Sequence, residues 1–249
     1  MAGRVLVVGS YLSPYVRKVL VCLALKGIAY EIDPIVPFFG DDRFTALSPL
    51  RRIPVLVDGD VALSDSTVIC QYLEDRHPDP PLYPADAARR AWARWLEEFA
   101  DTRMGDVFIW RLFNQIAIRP GVWGEKGDRE LMARTLERDV PEVLDYLESQ
   151  APADGFLFGA PGVADVSVAA FLRNAAFARL TIDAARWPRA AGLVSRTLAL
   201  PAFVDLARYE DAVVRVPIER HRETLRAMGA PVSAETFGTA PPRRGVLPI

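Results

Sequence analysis

The stretch His77-Pro78-Asp79-Pro80-Pro81-Leu82-Tyr83-Pro84 carries four prolines in eight residues. Each proline fixes φ and removes a backbone donor, so neither a helix nor a strand runs through it. The segment is a junction. It divides the 249-residue chain into a first part, residues 1–82, and a longer second part.

The two parts differ in hydrophobic period. In the first, Arg4–Val8 is a short apolar run ending at Gly9 and reads as a buried strand. Ser13-Pro14 suits the cap and first position of a helix. Val16, Val19, Leu20, Leu23 and Ala24 then mark one helical face, and Lys26-Gly27 closes it. Tyr30–Ile35 is a second strand, so a right-handed parallel βαβ unit is expected. Ile53–Val57 and Val61–Leu63 flank Asp58-Gly59, a hairpin signal. Ser64-Asp65-Ser66 caps a further helix.

From Ala88 onward the pattern is helical, with candidate helices at 88–117, 128–149, 165–180, 187–198 and 201–226. Leu136, Val140, Val143, Leu144 and Leu147 form one apolar stripe. Trp92, Trp95 and Phe99 share another and read as core. Residues 229–249 hold four Pro and three Gly and read as an irregular tail. The domains are thus 1–82, 83–228 (all helical) and the tail 229–249.

Thirty Lys+Arg against 32 Asp+Glu leave a net charge of −2, so nothing pulls the chain toward nucleic acid or an anionic membrane. Its apolar runs fall well short of the ~18–20 residues of a membrane span. Residues 1–8 lack the features of a signal peptide. Two cysteines, Cys22 and Cys70, and two histidines, His77 and His221, supply neither a disulfide framework nor a metal centre. The reading is a cytoplasmic protein without a metal.

Three short pieces hold groups suited to one ligand. Gly9–Arg17 joins a strand end to a helix N-terminus, where free N–H groups and about half a positive charge favour an anion such as a thiolate. Ser13 is either a cap alone or also a hydroxyl donor to that anion. Arg52-Ile53-Pro54 either opens an edge strand or, with a cis Ile53-Pro54 bond, turns the Ile53 backbone outward to pair with a peptide-like ligand. Asp65-Ser66 either caps a helix or receives an α-amino acid head group, Ser66 taking the carboxylate and Asp65 the ammonium. Gly9-Ser10-Tyr11-Leu12 has no second glycine, which excludes a dinucleotide fingerprint.

Taken together these residues resemble the cytosolic glutathione transferase family over residues 4 to about 210. Ser13-Pro14-Tyr15-Val16-Arg17 looks like its active-site serine motif, Ile53-Pro54 its cis-proline, Ser64-Asp65-Ser66 its γ-glutamyl site and Leu82-Tyr83-Pro84 its domain junction. Phe156–Gly159 and Val163–Ser167 resemble the capping motif of its central C-terminal helix, with Gly162 where the family usually has Ser or Thr. The resemblance implies an α/β N-terminal thioredoxin-like domain plus an all-α C-terminal domain. It also implies a detoxifying glutathione transferase, a homodimer with glutathione as co-substrate and a small hydrophobic electrophile as partner. Asp65 and Ser66 would take the γ-glutamyl end, Ile53 the cysteinyl backbone, Arg52 or else Arg51 the glycyl carboxylate, and Ser13 the thiol, with Tyr11 and Tyr15 as competitors. Tyr15, Phe38, Phe39 and a helical face of Arg103, Asp106, Val107, Trp110 and Asn114 would line the hydrophobic-substrate site. Alternatives are another glutathione-dependent reaction (isomerisation, dehalogenation, ether cleavage, peroxide reduction) or a non-catalytic interaction module. Position 13 is not Cys, which argues against disulfide reduction, and the zeta-type Ser-Ser-Cys signature is absent.

Overall fold

A computed structural model describes residues 5–244. They form two compact units, residues 5–80 with 204–244, and residues 81–203.

The first unit is built on a four-stranded sheet. Strand β1 (Val5–Val8), helix α1 (Pro14–Leu25) and strand β2 (Tyr30–Asp33) make the expected parallel βαβ unit, Val5 pairing with Tyr30 and Val8 with Asp33. A short helix α2 (Asp42–Leu47) leads to β3 (Val55–Asp58) and β4 (Val61–Ser64), an antiparallel hairpin turned at Gly59 with φ 60°. The strand order is β2-β1-β3-β4. Helix α3 (Ser66–Arg76) follows. Val16, Val19, Leu20 and Leu23 of α1 are wholly buried. Each contributes about 1.5–3 kcal/mol by leaving water. The Cys22 and Cys70 sulfurs, on α1 and α3, touch at 3.6 Å inside this core.

The second unit is all helical. Helix α4 (Ala87–Phe99) continues through Ala100–Ile118 in wider turns closed by i→i+5 bonds, and α5 (Arg119–Trp123) ends it. Helices α6 (Arg129–Arg134), α7 (Val140–Gln150), α8 (Val163–Phe177) and α9 (Pro188–Leu198) follow. Helix α8 is the buried one, Val163 to Leu172 being inaccessible without a break. Its cap explains Gly162. A Cβ at this position would lie 2.7 Å from the Leu82 carbonyl oxygen, which accepts the Val163 N–H at 3.0 Å. Asp165 takes over the capping, accepting from Leu157 and Gly162 N–H at 2.9 and 3.0 Å. The aromatic stripe departs from expectation. Trp92 and Trp95 are 56% and 47% exposed, because Ala93, Leu96 and Ala100 form the inward face of α4 and its continuation.

Helix α10 (Pro201–Val213) carries the chain back into the first unit, and α11 (His221–Ala227) follows. The single helix expected over 201–226 is broken between them at Val214–Pro217. Val232 forms a parallel bridge to Ile32, so part of the segment expected to be irregular is sheet-like. No single described helix is long and apolar enough to cross a membrane.

Candidate functional site

The sheet register gathers the three motifs of the first unit. Val8 stands opposite Val55, and Val55 opposite Ser64. The residues just beyond that row are Gly9, Pro54 and Asp65, so the loop to α1, the start of β3 and the entry to α3 share one end of the sheet. Ligands of α/β folds bind at such an end.

Gly9 is the point of closest approach. Its φ is 150°, and a Cβ there would lie 2.5 Å from Val16 Cγ2 and 3.0 Å from Ile53 Cβ. Only glycine lets the loop sit this near Ile53. Ser13 caps α1, its hydroxyl oxygen accepting the Val16 N–H at 3.4 Å. An oxygen accepting from the backbone still has its own hydrogen to donate. Pro14 occupies the first helical turn, as its fixed φ favours.

The two tyrosines sit differently. Tyr11 is buried, and its ring meets Tyr209 at 5.3 Å between centroids. Burial, then the neighbouring Tyr30, pushes its phenol far above the usual range, which makes it a poor proton donor. Tyr15 is half-buried in the first turn of α1.

The Ile53-Pro54 peptide is cis, as is Asp79-Pro80 in the junction. The N–H and C=O of Ile53 have no hydrogen-bond partner among the described residues. Ser48, inaccessible to solvent, clasps the preceding residue: its hydroxyl donates to the Arg52 carbonyl and accepts the Arg52 N–H, both at 2.9 Å. The sequence reading missed Ser48, and a lone serine in a loop carries no signal of such a role. The Arg52 side chain is exposed and makes no hydrogen bond or ion pair among the described residues. Arg51, the other candidate for the same job, is committed elsewhere. Its guanidinium bonds to Thr45 Oγ1 at 2.6 Å and the Gly40 carbonyl at 2.8 Å.

Asp65 caps α3 with one oxygen, Oδ1, which accepts from Thr67 and Val68 N–H at 2.9 and 3.1 Å. Oδ2 has no partner among the described residues. Ser66, 4% exposed, is the first residue of α3, where backbone N–H groups lack helical acceptors. The site therefore holds two helix N-termini, one open peptide and one exposed cation.

Phe38 is buried and Phe39 partly so, in the turn Pro37–Phe39. The residues expected on the long helix belong to the second unit and do not form one open face there. Arg103 bonds to Asp106, Asp139 and Glu142 at 3.3, 2.9 and 3.1 Å, and Val107 is wholly buried. Asp106 also meets Arg111 at 2.8 Å, five positions on. The widened turns bring i and i+5 together, so a face counted at 3.6 residues per turn does not hold. Trp110 and Asn114 remain half-buried. Among the described residues no cluster of three His, Cys, Asp or Glu side chains could hold a metal ion.

Two family models match the sequence: the glutathione S-transferase N-terminal domain over residues 7–81 and the glutathione S-transferase C-terminal domain over 129–196. The chain is 42% identical over 78 residues to glutathione S-transferase Z2 of Arabidopsis thaliana, covering 30% of this chain and only 35% of that relative. It is 31% identical over 200 residues to maleylacetoacetate isomerase of Pseudomonas aeruginosa, covering 78% of this chain and 91% of the relative. A crystal structure of a glutathione S-transferase from Methylobacterium radiotolerans, in complex with glutathione sulfonate, matches with a TM-score of 0.67 at 28% identity. That match covers 82% of this chain and 94% of the other.

Proposed function

The chain belongs to the glutathione S-transferase family, and from that premise we propose that it binds glutathione at the Gly9–Pro54–Asp65 end of the sheet and activates its thiol for attack on a hydrophobic electrophile. The open Ile53 peptide carries this reading. It offers one donor and one acceptor beside two helix N-termini, which suits an extended peptide with anionic groups.

In this reading the γ-glutamyl ammonium meets Asp65 Oδ2 and its carboxylate meets the Ser66 N–H and hydroxyl. The cysteinyl backbone pairs with Ile53. Arg52 takes the glycyl carboxylate, because Arg51 is already bonded to Thr45 and Gly40. Ser13 donates its hydroxyl hydrogen to the sulfur. A free thiol titrates near ~8.5, and a helix N-terminus with a hydroxyl donor lowers that. The thiol proton leaves to solvent, and the sulfur bonds to the electrophilic carbon as a leaving group departs with its bonding pair or, in an addition, as a carbon–carbon π bond breaks and its carbanion takes a proton from water; the protein stays unmodified. Tyr15, Phe38 and Phe39 are the residues of the first unit proposed to face the electrophile. The protein acts as a two-fold homodimer, the commonest soluble oligomer, in the cytoplasm.

The test is calorimetry of glutathione binding together with conjugation assays over a panel of electrophiles. Absence of binding at millimolar glutathione sinks the reading, and a sedimentation mass of one chain sinks the dimer.

A second reading is favoured by the isomerase relative, which matches over 91% of its length. There the thiolate adds reversibly to a double bond, the bond rotates, and elimination regenerates glutathione. The two reactions separate on one quantity: conjugation consumes glutathione and isomerisation does not. The missing Ser-Ser-Cys tripeptide, replaced by Leu12-Ser13-Pro14, weighs toward conjugation.

A further inference from the structure

The tail runs along the outer edge of β2. Ile32 N–H donates to the Pro231 carbonyl at 2.8 Å, and Ser233 N–H donates to the Ile32 carbonyl at 2.9 Å. One residue on, Asp33 is wholly buried and works in two directions. Its carboxylate accepts from Arg222 Nη1 at 2.6 Å and from the Phe237 N–H at 2.7 Å. Its carbonyl accepts the Gly9 N–H at 2.9 Å. Arg222 also reaches the carbonyls of Ser233, Ala234 and Glu235, so the whole turn is tied down.

Phe237, partly buried, then folds down onto the core. It packs against the cluster of Val8, Ile35, Phe44 and Val55, the cluster that Ile53 also packs against. Its carbonyl accepts the Asp41 N–H at 2.8 Å, and the Arg43 guanidinium lies 5.2 Å from its ring centroid. Further along, Ala240 and Arg243 N–H donate to the carbonyls of Phe39 and Phe38 at 3.2 and 2.8 Å. Two of the three motifs, the Gly9 loop and the Ile53 peptide, thus rest on residues that the tail holds.

We propose that Phe237 and Asp33 are positioning residues for the glutathione site, and that the tail from Pro231 to Arg243 sets where the Ile53 peptide and the Gly9 loop stand. The proposal rests on the glutathione reading above. Its physical basis is that a binding constellation tolerates only about 0.5 Å of misplacement, and Ile53 shares its packing layer with a side chain almost two hundred positions away. If the tail only added stability, any equal loss of stability elsewhere in the unit would have the same effect.

The experiment uses the full chain with Phe237→Ala, the conservative Phe237→Leu, and Leu23→Ala as a stability control deep in α1. Phe237→Ala should raise the KM for glutathione roughly tenfold while kcat at saturating glutathione stays within about twofold. Phe237→Leu should restore KM, and Leu23→Ala should leave it unchanged. If Phe237→Ala does not fold, Phe237→Val carries the same comparison. Amide hydrogen exchange without ligand gives a second readout: residues 48–57 should exchange faster in the Phe237 variant than in the control. A folded variant with unchanged KM, or an equal KM rise in Leu23→Ala, overturns the proposal. A wild-type protein that binds no glutathione overturns the functional reading instead. Exchange then decides alone, and unchanged exchange at 48–57 overturns the positioning role.

Discussion

Arg17 and Glu210 meet in an ion pair sealed from solvent, Nε to Oε1 at 2.5 Å, with side chains 0% and 2% exposed. The pair fastens α10 to α1 one turn after Ser13. Removing one partner leaves the other charge buried without its ion pair, which costs about 3–5 kcal/mol. Glu210→Ala should therefore lose roughly that much in urea denaturation. The double change Arg17→Met with Glu210→Leu should recover most of it. A loss below about 1 kcal/mol in the single variant would show that water reaches the guanidinium.

The thiol-activating role separates Ser13 from the tyrosines. A hydrogen bond to a charged acceptor contributes about 1.5–3 kcal/mol, and ~1.4 kcal/mol is one pKa unit. Ser13→Ala should raise the bound thiol's pKa by roughly one to two units. Turnover at neutral pH should fall, with partial recovery at higher pH and nearly unchanged glutathione affinity. Tyr11→Phe should not move the titration, since that hydroxyl is buried against Tyr30 and Tyr209. Thiolate absorbance against pH reads all three, with Tyr15→Phe alongside. A shift in either tyrosine variant and none in Ser13→Ala would reassign the role.

At the other end of the ligand, Asp65→Ala and Ser66→Ala should each weaken glutathione by about 1–3 kcal/mol, because each leaves a charged ligand group short of a partner. Asp65→Ala also removes the cap on Thr67 and Val68, so its melting temperature should drop as well. Unchanged dissociation constants in calorimetry would move the head group elsewhere.

Stability against pH follows from Asp165. Burial pushes its carboxyl up to about 6, against the opposing Leu157 and Gly162 N–H groups. An unfolded Asp titrates near ~3.9. On acidification the folded state takes up this proton first, so the group's contribution to stability rises as pH falls from about 6 to about 4. It falls over the same window as pH rises. The span is on the order of 3 kcal/mol. Asp165→Asn should remove this slope. It should also lower stability throughout, because Leu157 and Gly162 N–H bond to different carboxylate oxygens and the amide NH2 that replaces one of them cannot accept. Denaturation midpoints of the two proteins from pH 4 to 7 test this, and parallel curves would contradict it.

The parts of the fold that were legible in sequence are local ones. Ser13-Pro14 announces a helix start by its own chemistry, and Asp58-Gly59 announces a turn. The register that lines up Gly9, Pro54 and Asp65 follows once three strands are placed. Periodicity fails where two faces compete: the Trp92 and Trp95 stripe is apolar, yet Ala93, Leu96 and Ala100 supply the buried face. It fails again at Asp106 and Arg111, which meet at i,i+5 because the helix is wider than the pattern assumes. The Asp33–Arg222 pair spans 189 positions and has no local signature at all. Ser48 is similar, since its neighbours give no hint that it clasps Arg52 on both sides.

The return of the tail to the first unit also orders events during synthesis. A growing chain emerges N-terminus first at about 5–20 residues per second. Residues 5–80 leave the ribosome early, but Glu210, Arg222 and Phe237 emerge only after the whole helical unit. For roughly ten to thirty seconds the α/β part lacks Glu210 for Arg17, Arg222 for Asp33 and the strand-like segment that lies along β2. The helical unit, complete by Phe203, has no such wait. The end of the sheet with Gly9, Pro54 and Asp65 therefore receives its last supporting residues only when the tail emerges.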